Sequence, residues 1–326
     1  MSSKKTAFII VCWNNADLLE ECLQSIKDQS TKNHMTIIID NDSKDNSVEV
    51  AQRFMPEAEV IQTGANLGFA KGNNVGIKKA LEDKNVEYIA LLNTDARIDT
   101  QWLEGITKFS EGKPRAACLQ GTTLDYYNHE VIDSTHIFVS RNSQATQGSW
   151  RDPYYTEFGP KKVFGVNAAA CVMTRRFLEA QPFGDEFFDE TMFMYLEDVD
   201  IAARATVMGW DNYLVPKARA YHMGSASSGK NPGFSLYLTF RNNLGMVIKN
   251  FPLSIALRLI IAMPRSDYNT FRHLRRQGKK QASWKIYKGR LFGLFRSPIY
   301  LWKRARLSRS RKASRQYIWD LMGKGF

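Results

Sequence analysis

Over residues 7–92 the sequence alternates short β-rich runs with helical patterns, and this order limits the fold more than any other feature does. Ala7–Cys12, Met35–Ile39, Glu59–Gln62 and Tyr88–Leu92 read as strands. Leu18–Lys27, Val48–Phe54 and Phe69–Leu81 read as the helices between them; in the first, Leu18, Leu19, Cys22, Leu23 and Ile26 are spaced to share one face. A βαβαβαβ order predicts an α/β fold with a mainly parallel central sheet flanked by helices. Ligands of such sheets are held beyond the carboxyl ends of the strands.

Polar clusters stand where that rule wants them. Trp13-Asn14-Asn15 follows the first strand, Asp40-Asn41-Asp42-Ser43 the second and Asn93-Thr94-Asp95 the fourth. Any one cluster could be a turn or helix cap, the ordinary use of Asp, Asn and Ser. Three on one sheet edge point to a binding site. A dinucleotide-binding site would need a Gly-x-Gly-x-x-Gly turn after the first strand, and Cys12-Trp13-Asn14-Asn15-Ala16-Asp17 contains no glycine.

Taken together, Val11-Cys12-Trp13-Asn14, Asp40-Asn41-Asp42-Ser43-Lys44-Asp45, Asn66 to Asn74 (NLGFAKGNN), Leu92-Asn93-Thr94-Asp95 and Tyr195-Leu196-Glu197-Asp198-Val199-Asp200 resemble the family 2 inverting glycosyltransferases, bacterial rhamnosyltransferase-like members above all. The likeness runs over about residues 7–245 in the expected order, and linked motifs are more specific than single ones. It implies the nucleotide-sugar-binding GT-A fold over residues 1–250. It also implies transfer of a sugar, rhamnose favoured, from a dTDP- or UDP-sugar to a hydroxyl of a glycolipid or cell-surface polysaccharide precursor.

The resemblance assigns roles residue by residue. Asp40 would accept from the imide N–H of a pyrimidine base, and Trp13, Asn14, Asn66, Gly68, Lys71 and Asn93 would line the nucleotide-sugar site. Asp95, the charged member of an Asn-Thr-Asp where the family usually has Asp-x-Asp, and His222 would hold Mg²⁺ or Mn²⁺ on the diphosphate. Asp198 would be the general base, with Glu197 the alternative, and Arg241 would reach the diphosphate or an acceptor phosphate.

Physical chemistry supplies a plainer reading for several of these. Gly68, Gly72 and Gly76 recur every four residues, which serves either close approach to a ligand or tight packing on the sheet. Asp42 and Asp45 read as turn and capping residues, and Asp200 with Arg204 as an i,i+4 ion pair on a helix running from Glu197 to Met208. His222, after the strand-like Tyr213–Val215 and before Gly224-Ser225, is either structural or a ligand. Gly165 to Ala170 leaves room for a substrate or permits packing.

Composition and charge bound the rest. With 326 residues, 44% hydrophobic and 24% charged, the chain can build a substantial core. Four cysteines without a Cys-x-x-Cys pair fit a reducing compartment. No run approaches 18 uncharged apolar residues, and the seven-residue apolar run from Ala7 to Trp13 does not read as an export signal, so a cytoplasmic location is expected. The net charge of +12 is concentrated: residues 251–326 carry 19 Lys and Arg against Asp267 and Asp320, a balance of +17, which leaves 26 bases against 31 acids, −5, in residues 1–250.

The segment 251–326 therefore reads as a basic, aromatic-rich helical tail that either packs on the core or docks on an anionic membrane surface, the inner face of the cell membrane. Two other classes compete with the glycosyltransferase. A nucleotidyltransferase would generally need a glycine-rich basic loop after the first strand, which is absent. A non-catalytic membrane- or nucleic-acid-binding protein would leave Asp40, Asp95, Asp198 and His222 unexplained, and with no nucleic-acid-binding signature in the sequence no nucleic-acid partner is expected.

Overall fold

The computed structural model describes residues 4–155, 159–224 and 232–323. Strands β1 (Lys5–Cys12), β2 (His34–Asp40), β3 (Glu59–Gln62) and β4 (Val86–Leu92) alternate with helices α1 (Ala16–Lys27), α2 (Ser47–Phe54) and α3 (Gly68–Leu81). All seven expected elements are present, each within two residues of its expected bounds. Then follow β5 (Ala96–Ile98), α4 (Trp102–Glu111), β6 (Ala116–Asp125), β7 (Ile132–Ser134), β8 (His136–Val139), β9 (Ala145–Gly148), β10 (Lys161–Val163) and β11 (Ala170–Thr174). Helix α5 (Arg175–Glu179), α6 (Glu197–Val207) and strand β12 (Asp211–His222) complete the α/β part. The chain ends in helices α7 (Pro232–Asn250), α8 (Leu253–Arg276), α9 (Lys280–Phe295), α10 (Ser297–Ser308) and α11 (Arg315–Leu321).

The main sheet has the order β10-β12-β6-β11-β4-β1-β2-β3, with β5 on β12 and β7 on β6. Strands β4, β1, β2 and β3 are parallel, as are β6 and β12, whereas β11 is antiparallel to both its neighbours. Along β1 the side chains alternate between two cores. Phe8, Ile10 and Cys12 pack with α1 and α4, and Ala7 and Ile9 pack on the α3 and α6 side. Both faces are apolar, as a sheet covered on two sides requires.

Glycines set the closest contacts. A Cβ at Gly76 would stand 2.5 Å from Ile9 and one at Gly72 3.0 Å from Val11, so these two serve tight packing of α3 on β1. The basic tail shares a core with the α/β part: Val199, Ala203 and Val207 of α6 cluster with Met246, Val247, Leu259, Leu307 and Ile318. Helix α9 lies against α7 where Gly289 and Gly293 face its backbone; a Cβ there would come within 2.5 Å of Tyr237 O and 3.1 Å of Arg241 O. Among the described residues no helix is long and apolar enough to cross a membrane.

Candidate active site

The carboxyl ends of β1, β2 and β4, the segment 190–198 and the end of β12 surround a cleft of about 630 Å³. Its walls include Trp13, Asn66, Gly68, Asn93, Asp95, Glu197, Asp198 and His222, eight of the twelve residues expected at the site.

The loops after β1 and β2 are fastened to each other. Asn14, in the left-handed region at φ 52°, donates its backbone N–H to Ser43 Oγ at 3.0 Å and accepts from Lys44 N at 2.6 Å. It is thus a fastener outside the cleft lining, and Asn15 lines the cleft in its place. Asp40 ends β2 in register with Cys12, and its buried carboxylate accepts from Ser43 N at 3.3 Å. The lining residue there is Asn41, whose Nδ2 donates to Gly68 O at 3.1 Å. Asp45 accepts from Ala16 N and Ser47 N, capping the starts of α1 and α2 as its type suggests.

Gly68 opens α3 with φ 76°, held by Asn66 Oδ1, which accepts from its N–H at 2.9 Å. A Cβ here would lie 2.5 Å from the Phe193 ring, so only glycine lets the 190–196 segment close on the cleft. Lys71, expected at the nucleotide sugar, is instead turned to Glu190 at 3.6 Å and does not line the cleft.

Register brings the two expected cation ligands together. Ala96 pairs with His222 across β5 and β12, and Met223 N donates to Asp95 O at 3.0 Å. Asp95 Oδ1 then stands 3.4 Å from His222 Nε2, while Nδ1 is held by Asp133 Oδ2 at 3.1 Å. Burial opposes a charged ring, but the two carboxylates outweigh it and hold the imidazole pKa up at about 10. With Nδ1–H held by Asp133, exchange of the Nε2 proton for a divalent cation would leave Nε2 and Asp95 as a fitting donor pair. Among the described residues no cluster of three His, Cys, Asp or Glu has metal-holding geometry, so phosphate oxygens and water would complete the shell. Ser225, next to this strand end, lies outside the described residues.

The acidic pair sits on a strained approach to α6. Phe193, Tyr195 and Leu196 all have positive φ, between 66° and 68°, a conformation that L side chains seldom adopt. What holds them is α7. Asn242 Nδ2 lies within 3.0 Å of the carbonyls of Met192, Met194 and Tyr195, and the Arg241 guanidinium donates to Thr191 O and Met192 O. Arg241, expected at the diphosphate or an acceptor phosphate, does not line the donor cleft; it supports this segment from behind and lines a neighbouring cavity.

The segment delivers Glu197 and Asp198 to the first turn of α6. Burial pushes the Asp198 carboxyl up to about 6, opposed by hydrogen bonds from the backbone N–H groups of Val199 and Ala168. Burial first, then the charge of Asp198, raises Glu197 well above the usual carboxylate range, and its Oε2 is buried without a hydrogen-bond partner. The environment thus favours the neutral form more strongly at Glu197 than at Asp198.

Asp200 turns away into a fully buried network with Arg204, Lys249 and Asn250, which joins Asp189 and Lys303. Sequence reasoning missed Asn15, Asn41, Thr94, Asn167 and Tyr195 of the lining, and Asp133 behind His222. All five of these lining residues sit inside segments already singled out, whereas Asp133 carries no sequence signal. Asn167, Ala168 and Ala169 of the small-residue segment line the cleft, and a Cβ at Gly165 would meet Ala202 at 2.4 Å.

The family profile Glycosyl transferase family 2 matches residues 7–179. An N-acetylglucosaminyl-diphospho-decaprenol L-rhamnosyltransferase of Mycobacterium tuberculosis is 26% identical over 246 residues, 70% of this chain and 79% of that protein. Among solved structures, GalNAc-T7 with UDP, GalNAc and Mn²⁺ superposes with a TM-score of 0.59 at 15% identity, over 75% of this chain. The chain spans about half, 48%, of that structure's length. The mannosyltransferase PcManGT of Pyrobaculum calidifontis, with GDP-Man and Mn²⁺, superposes at 0.55 and 15% identity, over 97% of this chain and 87% of its own. These likenesses carry the GT-A fold. With a cleft built from the strand ends and an acid pair at the head of α6, the chain belongs to glycosyl transferase family 2.

Proposed function

We propose that the protein transfers a hexose, rhamnose favoured, from a dTDP- or UDP-sugar to a hydroxyl of a lipid-linked or cell-surface polysaccharide precursor, with inversion at the anomeric carbon. The observation that carries this is geometric: one cleft brings Glu197 and Asp198, at the head of α6, together with Asp95 and His222 beyond the carboxyl ends of the strands. The reaction asks for one weak base within reach of the acceptor hydroxyl, because its proton leaves only as the new C–O bond forms.

In this reading the acceptor oxygen attacks the anomeric carbon and its proton passes to Asp198. The bond to the β-phosphate oxygen breaks with its electron pair going to the nucleoside diphosphate. Trp13, Asn15, Asn41, Asn66 and Asn93 hold the nucleotide and sugar, and the backbone at Gly68 makes room for them. Asp95 and His222 would hold Mg²⁺ or Mn²⁺, which supplies charge neutralisation to the departing diphosphate. With Asp198 as base and Asp95 engaged at the cation site, no carboxylate is assigned as a nucleophile, and a single displacement is favoured over a covalent intermediate. The rhamnosyltransferase likeness over 79% of that relative's length supports the sugar and the lipid-linked acceptor. The tail's charge and exposed apolar residues support work at the cytoplasmic membrane face.

Calorimetric titration with dTDP, UDP and GDP, each with and without Mn²⁺, tests the donor site. The expected result is cation-dependent binding of a pyrimidine diphosphate, lost in Asp95→Ala. Failure of all three to bind would reduce the family likeness to fold alone. In turnover with donor and acceptor, release of nucleoside diphosphate is expected; pyrophosphate would point to nucleotidyl transfer.

A further inference from the structure

Beside the donor cleft lies a second cavity of about 480 Å³, lined by Glu190, Thr191, Phe193, Phe234, Tyr237, Leu238, Arg241, Arg296 and Ile299. Phe193 and Phe234 belong to both linings and meet edge-on at 6.4 Å, so this aromatic pair is the partition between the two. On its far side the cavity is bounded by the junction of α9 and α10, where Phe292, Phe295 and Ile299 are exposed.

Two guanidiniums converge here with no carboxylate between them. Arg241 and Arg296 both donate to the single carbonyl of Thr191, at 3.1 and 2.8 Å. Neither is in a salt bridge among the described residues. Arg241 is buried, and burial followed by the charge of Arg296 lowers its pKa. The one acid of the lining, Glu190, is engaged by Asn74 and Lys71. Bringing two arginines together in a largely apolar cavity costs charge repulsion, and an anion with several acceptor oxygens relieves it.

We propose that this cavity binds the diphosphate and first isoprenoid units of a polyprenyl-diphosphate-linked acceptor. Arg241 and Arg296 take the diphosphate, and Phe234, Tyr237, Leu238 and Ile299 take the chain. The chain leaves over the exposed Phe292 and Phe295, and the sugar reaches Asp198 across the Phe193–Phe234 partition. The assignment rests on the glycosyltransferase reading above and adds to it the residues that recognise the acceptor, one of them from the basic tail.

The test measures binding of farnesyl diphosphate, farnesol and inorganic pyrophosphate to the full chain, with the donor site saturated by the nucleoside diphosphate it binds best and Mn²⁺. Farnesyl diphosphate is expected to bind under these conditions, at least tenfold tighter than either farnesol or pyrophosphate. Arg296→Ala should weaken it by about tenfold or more while leaving nucleoside diphosphate affinity unchanged. Should Arg296→Ala fail to fold, Ile299→Glu at a solvent-exposed position is expected to give a similar loss. Farnesyl diphosphate fully displaced by the nucleotide, or bound equally by both variants, overturns the proposal. So does pyrophosphate binding as tightly as farnesyl diphosphate, which would mark a site for free phosphate. Nucleotide binding is a separate readout: its failure would strike the donor site, and the loss of farnesyl diphosphate binding alone would strike only this cavity.

Discussion

Two adjacent acids head α6 with unequal support: backbone N–H groups of Val199 and Ala168 oppose the upward push of burial on Asp198, whereas burial and the charge of Asp198 raise Glu197 well above the usual carboxylate range and its Oε2 has no hydrogen-bond partner. Glu197→Gln puts a neutral isostere in place of an acid whose pKa is raised and should leave kcat within about tenfold of the parent, whereas Asp198→Asn should cost about 10²–10⁴-fold. Steady-state kinetics on the two variants decide this, and equal losses would refute the split. With the base pKa at about 6, kcat/KM should rise with pH through about 6 and flatten above it. The sign for stability is the reverse. A carboxyl whose folded pKa lies above its unfolded value of 3.8 loses stability as pH climbs between the two, and the penalty persists above about 6. Asp198→Asn should therefore raise Tm at pH 7 while abolishing turnover, a trade that a purely structural aspartate would not show. Behind His222, Asp133→Asn should weaken Mn²⁺-dependent nucleotide binding by about 10- to 100-fold, measurable in the same titrations.

The elements that carry these residues differ in how openly the sequence announces them. Strands β1 to β4 and helices α1 to α3 are legible because both sheet faces are apolar and each helix keeps one apolar stripe. After α4 only α6, expected from Glu197, and the middle of β12 at Tyr213–Val215 are as legible. Strands β7 and β10 are three residues long, and β11 enters antiparallel between β4 and β6, a placement that only tertiary pairing reveals. The site follows the same division. Asp95, Glu197, Asp198 and His222 stand in recognisable motifs, but Asp133 meets His222 across 89 residues, and Arg241 has a familiar type with an unexpected target. The helix-bearing tail also has a hidden role. Lys249 and Lys303 reach from α7 and α10 to Asp189, and Lys249 to Asp200, all buried. Burial alone would raise Asp189, yet these lysines hold it far below the usual range. The stability it confers is thus present above its unfolded pKa and is lost only in strong acid. Lys303→Met would leave buried Asp189 with Lys249 as its one lysine and take the lysine from Glu186, and should cost about 3 kcal/mol, read by denaturant unfolding at pH 7. A chain ending at residue 250 should not unfold cooperatively, since Leu244, Met246 and Val247 share their core with α8, α10 and α11.

At the scale of the whole molecule, an acidic α/β body carries a basic helical layer whose inner side is already committed. What that layer offers outward is therefore surplus to folding. Leu253, Leu257 and Ile261 stand four residues apart on the exposed side of α8, with Ile261 78% exposed, and Trp284, Leu291 and Phe295 continue the stripe on α9, Phe295 at 73%. Lysines and arginines surround them, Arg272, Arg275, Arg276, Lys285 and Lys288 among the exposed ones. Apolar side chains that cost solubility, ringed by cations, suit the headgroup region of an anionic bilayer, where each cation near the surface adds about 1 kcal/mol. The full chain should float with phosphatidylglycerol vesicles, far less with phosphatidylcholine, and be released as salt is raised. Deleting the tail cannot test this, because it would unfold the shared core. The triple change Leu253→Ser, Ile261→Ser, Leu291→Ser removes side chains that are mostly exposed, so it should preserve Tm and nucleotide binding while cutting vesicle binding by about tenfold or more. If the triple variant floats as well as the parent, the apolar stripe is not what holds the protein on the bilayer; if the parent itself stays with the unbound fraction, the acceptor is met in solution.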